Sequence, residues 1–211
     1  MKVIPWSGGA DSTLLLAHTL RKNPVRALTL VHPQLIKKQE EREKRARAQF
    51  KKWLPREIRM RFDHHTITVK TKAEVHNNVG QPGLWLCHLM PYVRSGDDLL
   101  FAYIRGDDFW HLRHLFTAAF TAIACNHYLS ADTHVSFPFE WNTKADVIRG
   151  LKRYRIPRRC WWTCDHPKKG ACGRCNKCVQ FRRAMEDIKA GRFSNEIPIE
   201  PSPTKMKKKA T

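Results

Sequence analysis

Hydrophobic and polar positions along the chain fall into blocks that predict strands followed by helices. Short apolar runs at 2–6 and 25–31 have the character of buried strands. A glycine-containing loop and an apolar segment at 13–20 predict a helix after the first run, and a polar stretch with apolar residues at helical spacing up to Leu54 predicts one after the second. This order predicts an α/β fold with a mostly parallel sheet flanked by helices.

The same alternation returns in the second half of the chain. Segments 59–70 and 98–104 predict strands, and segment 109–124 predicts a helix. The predicted apolar face of that helix consists of Leu112, Leu115, Phe116, Ala119, Ala122 and Ile123. A further helix with a polar cap is expected over 142–148 and a last one over 179–190.

Composition places this chain of 211 residues among globular proteins, because 42% of the residues are hydrophobic and 27% are charged. These values exclude a wholly disordered chain and a coiled-coil rod. The charge is unusual: 39 Lys and Arg against 19 Asp and Glu give a formal net charge of +20. A negatively charged partner is therefore expected, whether nucleic acid, nucleotide or phosphate.

Much of this positive charge lies in two segments of the sequence. Between Lys37 and Arg61 there are eleven Lys or Arg and four acids, and between Arg149 and Lys177 there are ten against the single acid Asp165. A solvated helix face with paired charges explains part of the first segment. Little offsets the second, so a tRNA or DNA partner that binds through basic faces stays open.

The chain has no apolar run of 18 residues, and its first residues lack the apolar core of a signal peptide. A soluble cytoplasmic protein without membrane association is therefore expected. The end of the sequence, 192–211, is rich in proline and then in lysine, which predicts a disordered basic tail.

A candidate phosphate loop lies between the first strand and the first helix. Its glycines would let backbone N–H groups approach an anion, and the helix N-terminus adds a favourable dipole. Asp11 within such a loop fits a Mg²⁺ ion that bridges to a polyphosphate, although a plain strand-to-helix turn is the alternative. The candidate ATP-binding residues are Ser7, Gly8, Gly9, Ala10, Asp11, Ser12 and Thr13.

Four closely spaced cysteines form a candidate metal site. They are Cys164, Cys172, Cys175 and Cys178. Two overlapping Cys-x-x-Cys steps and an upstream cysteine suit a tetrahedral structural Zn²⁺, and an iron–sulfur cluster is the main competitor. Cys160 and, less readily, His166 could substitute as ligands. Cys87 and Cys125 stand apart in apolar settings and are expected to be small buried side chains.

Two groups of motifs resemble known families. Ser7-Gly8-Gly9-Ala10-Asp11-Ser12 resembles the pyrophosphate (PP) loop of the ATP pyrophosphatases, which split ATP to AMP and pyrophosphate while they adenylate a substrate. The cysteine segment with Trp162, Arg182 and Arg183, and the helix start Thr143-Lys144-Ala145-Asp146-Val147-Ile148, resemble the 7-cyano-7-deazaguanine synthase (QueC) family.

This resemblance implies an enzyme of the adenine nucleotide alpha hydrolase type. It would use ATP, Mg²⁺ and Zn²⁺ to convert 7-carboxy-7-deazaguanine and ammonia to 7-cyano-7-deazaguanine, or stop at the amide, and so supply a base for tRNA or DNA modification. A homodimer is possible. The alternatives are a thiolase-like enzyme that adenylates nucleic acid directly, for which Cys87 or Cys125 would be the free thiols, and a non-catalytic nucleic-acid-binding derivative.

The resemblance also implies a division of the chain and a set of catalytic candidates. A PP-loop domain over 1–158 would be followed by a zinc-binding element over 159–191 and the tail. The candidates are Asp11, Ser12, Lys144 and Asp108. Lys144 would place a cation near the phosphates or the developing adenylate charge, unless it is a solvated surface lysine.

Two segments depart from the family pattern. Asp107 and Asp108 stand where the family has Arg-Asn, and they could hold a second Mg²⁺, orient the substrate, or simply form a favourable acidic pair at a helix N-terminus. The segment 125–134, where the substrate-reading residues are expected, is shorter and different. Candidates to line a base pocket, or to be plain surface, are His127, Asp132, His134 and Trp141.

Overall fold

The computed structural model describes residues 1–31, 37–69, 85, 88–107, 109–126, 133–167 and 169–192. Within these ranges strands and helices alternate. They are β1 (Lys2–Pro5), α1 (Ala10–Leu20), β2 (Val25–Val31), α2 (Lys37–Trp53), α3 (Arg56–Arg59), β3 (Phe62–Thr68), β4 (Asp98–Leu100), α4 (Arg113–Asn126), β5 (His134–Ser136), α5 (Lys144–Arg153) and α6 (Asn176–Lys189). Single turns of 3₁₀ helix occur at Met90–Tyr92, Trp110–Leu112 and Arg158–Cys160.

The described strands form one five-stranded sheet in the order β3-β2-β1-β4-β5. Every neighbouring pair is parallel, with Lys2 opposite both Val25 and Asp98, Val25 opposite Phe62, and Asp98 opposite His134. All strands therefore end at one edge of the sheet, the carboxyl edge, and begin at the opposite amino edge. The predicted α/β fold with a parallel sheet is confirmed.

Helices cover both faces of this sheet. On one face, Ile4 and Ala27 lie in a buried cluster with side chains of α1, α2 and α5. On the other, Val3 and Leu28 lie in a second cluster with Phe116 of α4. Neighbouring residues of β1 thus point to opposite faces, and both faces are apolar, as expected for a central parallel strand.

The fourth and fifth strands differ from the sequence prediction. Segment 98–104 is regular strand only over Asp98–Leu100, since the chain then bends toward a turn in which Ile104 donates its N–H to the Asp107 carboxylate at 3.0 Å. β5 was missed because it has three residues, two of them polar, and carries almost no periodic signal.

The predicted apolar face of α4 is confirmed at Phe116 and wrong at its other described positions, and the side chain of Ile123 lies outside the described residues. Among the described side chains of this helix, Phe116 and Phe120 are buried, and Phe116 packs edge-on against Phe101 at 4.7 Å between ring centroids. Leu112 and Leu115 are 40% and 56% exposed, and Ala119 and Ala122 are exposed as well. Two aromatic rings one helical turn apart cover more of the sheet than the smaller side chains, and they set the rotation of the helix.

The start of α5 is fixed by a capping box. The Thr143 hydroxyl accepts the N–H of Asp146 at 3.3 Å, and the Asp146 carboxylate accepts the N–H of Thr143 at 2.7 Å. Such reciprocal bonds satisfy orphan N–H groups of the first turn. The polar cap predicted over this segment is Thr143, and Lys144 becomes the first residue of the helix.

No helix in the described part of the chain is both long and apolar enough to cross a membrane. The segment 193–211, which includes nearly all of the predicted tail, lies outside the described residues.

A half-buried histidine on β3, His64, makes stability sensitive to acid. Nε2 of His64 lies 2.9 Å from the Thr29 hydroxyl, and that hydroxyl donates to the Trp6 carbonyl, so the ring nitrogen donates to Thr29. Burial, with the cations Lys51 and Arg47 nearby, lowers the pKa of His64 to about 4. The unfolded chain therefore binds more protons than the folded one between about pH 6.5 and pH 4, and stability falls as pH falls through that range.

His64→Gln keeps a donor for Thr29 but removes the titrating ring. Between pH 7.5 and pH 5, the free energy of unfolding measured in urea should fall by about 1 to 2 kcal/mol more for the wild type than for this variant. This value is smaller than the full pKa shift would give, because the ring is partly exposed. Equal pH dependence of the two proteins would contradict this assignment.

Candidate functional site

The glycine loop lies at the carboxyl edge of the central strand β1 and leads into α1. Gly8 has a φ of +92°, a conformation that L side chains rarely adopt. A Cβ at this position would also lie 3.0 Å from both Arg47 Cγ and the Glu43 carbonyl oxygen. Both conformation and space therefore require glycine here.

Hydrogen bonds between its own residues hold the loop in shape. The Gly9 N–H donates to the Ser7 hydroxyl at 3.0 Å, and the hydroxyls of Ser7 and Ser12 are 3.2 Å apart. Thr13 is fully buried and accepts the indole N–H of Trp6 at 3.1 Å, so its side chain supports the loop from inside. The loop and the N-terminus of α1 together form a cradle suited to an anion.

Lys144 and Asp11 are brought together across the site. The Lys144 ammonium lies 2.5 Å from Asp11 Oδ2, and only 14% of the lysine side chain is exposed. Lys144 is therefore not a solvated surface lysine. The other carboxylate oxygen, Asp11 Oδ1, is buried and has no hydrogen-bond partner within the described part of the chain. A buried, unsatisfied carboxylate oxygen beside an anion cradle fits a bound cation such as Mg²⁺.

Asp107 faces the same pair from the turn after β4. Burial, together with the charge of Asp11, raises the pKa of Asp107 to about 6, and Lys144 opposes the rise. With Lys144, the carboxylate also lines a cavity of about 140 Å³ against α6. A carboxyl group that titrates near neutral pH can accept and release a proton during a reaction. Asp108, the catalytic candidate from the sequence, lies outside the described residues.

A buried network of charged residues lies behind the loop, and the sequence patterns did not predict it. The Arg47 guanidinium donates to the Ser7 carbonyl oxygen and lies near Glu43. Burial raises the pKa of Glu43, which also accepts an N–H of Gln39 at 3.0 Å. These residues belong to a helix whose charges predict a solvent-exposed face. They are buried because the helix packs against the loop and, through Gln39 and Asp165, against the cysteine segment.

The cysteine segment is attached to the loop through the main chain. The Trp162 N–H donates to the Gly8 carbonyl oxygen at 2.9 Å, and Gly9 and Trp162 form a parallel β-bridge. Lys177, in the first turn of α6, pairs with Asp165 at 2.8 Å and acts electrostatically on Asp107. The residues around the cysteines therefore form one side of the site.

The four predicted metal ligands converge. The sulfur atoms of Cys164, Cys172, Cys175 and Cys178 all lie within 4.8 Å of one another. Four thiolates around a tetrahedral Zn²⁺ are about 3.8 Å apart, given Zn–S bonds of about 2.3 Å, so a small closure would seat the ion.

Main-chain donors also point at these sulfur atoms. The Cys172 N–H lies 3.2 Å from Cys164 Sγ, and the Cys175 N–H lies 3.3 Å from Cys172 Sγ. Donors of this kind orient and stabilise metal-bound thiolates. Cys160 is buried and His166 is exposed, and neither belongs to the group. The group can hold a metal ion with every position filled by protein.

The candidates for a base pocket are only partly described. Trp141 is 55% exposed, its ring lies 5.7 Å from that of Trp110, and the Arg113 guanidinium lies 4.3 Å from the Trp110 ring. His134 begins β5 at the amino edge, away from the loop. His127, Asp132 and Cys87 lie outside the described residues, as does the side chain of Cys125.

A family model and curated proteins similar to this chain agree with each other. Residues 112–189 match the family model of queuosine biosynthesis protein QueC. The 7-cyano-7-deazaguanine synthases of Brucella ovis, Brucella canis and Brucella suis are each 36% identical to this chain over 55 residues, which is 26% of this chain and 24% of the relative. The match thus spans about a quarter of the length of these curated relatives.

A solved structure of NMN synthetase from Francisella tularensis superposes with a TM-score of 0.46 and 12% sequence identity, and covers 95% of this chain and 88% of that one. The segment matched by the QueC model contains α4, the Lys144 helix and all four clustered cysteines. The resemblance to the QueC family predicted from the sequence is thereby confirmed, and residues 112–189 of this chain carry the pattern of that family.

Proposed function

We propose that this protein is an ATP-dependent ligase that converts 7-carboxy-7-deazaguanine and ammonia to 7-cyano-7-deazaguanine. The observation that carries the proposal is the Asp11–Lys144 pair at the mouth of the glycine loop. The pair joins an anion cradle to a fixed cation, an arrangement suited to splitting a polyphosphate. The QueC match over residues 112–189 supports the choice of substrate.

The first half of the reaction makes an amide. A carboxylate oxygen of the substrate attacks the α-phosphorus of ATP, and pyrophosphate leaves. Ammonia then attacks the acyl carbon, AMP leaves, and the nitrogen loses a proton. In the second half the amide oxygen attacks a second ATP, pyrophosphate leaves again, and departure of AMP with that oxygen and loss of two protons gives the nitrile.

The residues of the site divide this work among them. The loop N–H groups, with the hydroxyls of Ser7 and Ser12, bind the departing pyrophosphate, and Lys144 stabilises the added negative charge at the α-phosphorus. Asp11 would hold Mg²⁺, which supplies charge neutralisation to the phosphates when bound. Asp107 accepts the proton that the attacking ammonia loses, because its raised pKa lies close to neutral.

Two further groups would complete the protein. The four clustered cysteines would hold a structural Zn²⁺, which leaves no open position for chemistry. Trp141, exposed and three residues before Lys144 in the sequence, offers an aromatic face to the planar base. The product would serve as a base for tRNA or DNA modification in the cytoplasm.

The test is mass spectrometry of the products after incubation with Mg-ATP, ammonium and 7-carboxy-7-deazaguanine. We expect AMP and pyrophosphate together with the amide or the nitrile, and none of these from Asp11→Ala. The ratio of AMP to product distinguishes the two outcomes, since the amide needs one ATP and the nitrile two. A folded, ATP-binding protein that leaves the acid unchanged would contradict the proposed function.

A further inference from the structure

A strongly basic surface lies at the amino edge of the sheet, opposite the glycine loop. Three chain segments form it: the α1–β2 connection, the end of α2 with α3, and the end of α5. We call it the amino-edge surface and define it by eight exposed cations, which are Lys22, Lys52, Arg56, Arg59, Arg61, Lys152, Arg153 and Arg155. This surface lies away from the Asp11–Lys144 pair, because α1 and α5 begin at the site and end here.

Described contacts hold the three segments together. The Val25 N–H donates to the Arg61 carbonyl oxygen at 2.9 Å, which joins the first segment to the second. The Tyr154 hydroxyl bonds His18 at 2.7 Å, and the Arg21 guanidinium lies 4.1 Å from the Tyr154 ring, which joins the first to the third. The surface therefore rests on a rigid base.

The three segments contain few acidic residues. Segments 20–24, 51–61 and 150–156 together contain ten Lys or Arg and one acid, Glu57. The neighbouring part of the same edge is different, because Asp97 pairs with the N-terminal amine at 3.0 Å and with Arg26 at 3.2 Å. Asp63 of β3 also lies at this edge and pairs with Arg26 at 3.6 Å, so the excess of positive charge belongs to the three segments and not to the strands.

The chemistry of the surface favours a nucleic acid over a membrane. Five of its eight cations are arginines, whose planar guanidinium groups match phosphate oxygens in pairs. Helices that bind in a lipid interface need an apolar face beside the charges. In the described residues of these segments, the large hydrophobic side chain with high exposure is that of Met60, at 83%, which is too little to form such a face.

We propose that the amino-edge surface binds the sugar–phosphate backbone of a nucleic acid without reading its sequence. A nucleic acid on this surface is a docking partner and not the molecule that is adenylated, since the glycine loop opens at the other edge. The inference stands on charge and geometry alone and does not depend on the proposed reaction.

The test compares two variants of equal charge. Lys52→Gln, Arg56→Gln, Arg61→Gln and Lys152→Gln remove four exposed cations from the surface. Lys37→Gln, Lys38→Gln, Lys44→Gln and Lys189→Gln remove four exposed cations elsewhere. Binding to a 20-base-pair RNA duplex and a DNA duplex of the same length is measured by fluorescence anisotropy over a range of salt concentrations.

We expect the first variant to bind the duplexes about tenfold or more weakly than the wild type. The slope of log K plotted against log salt concentration should become shallower by about 3 to 4, because each lost phosphate contact removes about 0.9 from that slope. The second variant should stay close to wild type, and both should keep wild-type thermal stability. Equal loss in the two variants would show that net charge alone drives binding and would overturn the proposal. Binding to vesicles that contain phosphatidylserine, with none to either duplex, would also overturn it.

Discussion

Replacing Lys144 with methionine is expected to lower kcat for AMP formation about 100- to 1,000-fold. Methionine keeps most of the side-chain length but removes the charge that lies 2.5 Å from Asp11. The attacked α-phosphorus would then lose a fixed cation in a largely water-free position, where such a charge contributes most to stabilising the transition state. Pyrophosphate release, followed by a coupled assay, measures the effect.

The same variant should change the pH profile of the remaining activity. Lys144 lowers the pKa of Asp107, so its removal lets burial and Asp11 raise that pKa above about 6. The Asp107 carboxyl group would then lose its proton at a higher pH, and the acidic limb of the pH profile should move to higher pH as well.

Lys152→Met is the matched control, because it removes an exposed lysine from the other end of the same helix. Its turnover and pH profile should equal those of the wild type. The role given to Lys144 would be excluded if the Lys144→Met protein still binds Mg²⁺ and its turnover stays within threefold of the wild-type value.

Replacing Cys178 with serine is expected to abolish stoichiometric metal binding and to lower the melting temperature sharply. Cys178 is 7% exposed and begins the buried side of α6, which packs against α5. Structural zinc sites in small domains contribute about 10 to 16 kcal/mol of apparent binding energy, so loss of the ion should detach α6 from the fold. Elemental analysis and thermal melting with and without a chelator measure both effects.

Cys160→Ala provides the control, since Cys160 is fully buried but lies outside the thiol group. It should lose some stability through the smaller side chain and retain the metal. The visible absorption spectrum of the wild type distinguishes a zinc ion from an iron–sulfur cluster, because zinc thiolates do not absorb visible light and iron–sulfur clusters do. A Cys178→Ser protein that keeps full metal content would exclude this ligand set.

Local sequence patterns predicted those features whose residues are close together in the chain. The glycine loop needs six consecutive residues, and the four cysteines span Cys164 to Cys178, so spacing alone carries the information. Lys144 could be placed near the loop only through its resemblance to a family motif. The pairing of Lys144 with Asp11 depends on how α5 packs beside α1, which no local pattern encodes.

The network behind the loop shows why the rest escaped prediction. Glu43 and Arg47 are spaced like an ordinary surface ion pair on a helix, yet both are about nine-tenths buried or more. Gln39, the partner of Glu43, lies one turn away on the same helix, but Ser7, the partner of Arg47, reaches it only when the helix docks on the loop. Charge patterns at helical spacing cannot distinguish a solvated face from one that another chain segment covers.

The main-chain bond between Trp162 and Gly8 has a consequence for protein synthesis. The glycine loop is synthesised well before its hydrogen-bonded neighbour Trp162, so a nascent chain that has not yet reached the cysteine segment lacks one wall of the site. Such a chain would contain the sheet and the internal hydrogen bonds of the loop, but not the main-chain contacts of the loop with Trp162. The order of synthesis therefore completes this wall of the site only once the segment that contains Trp162 has been made.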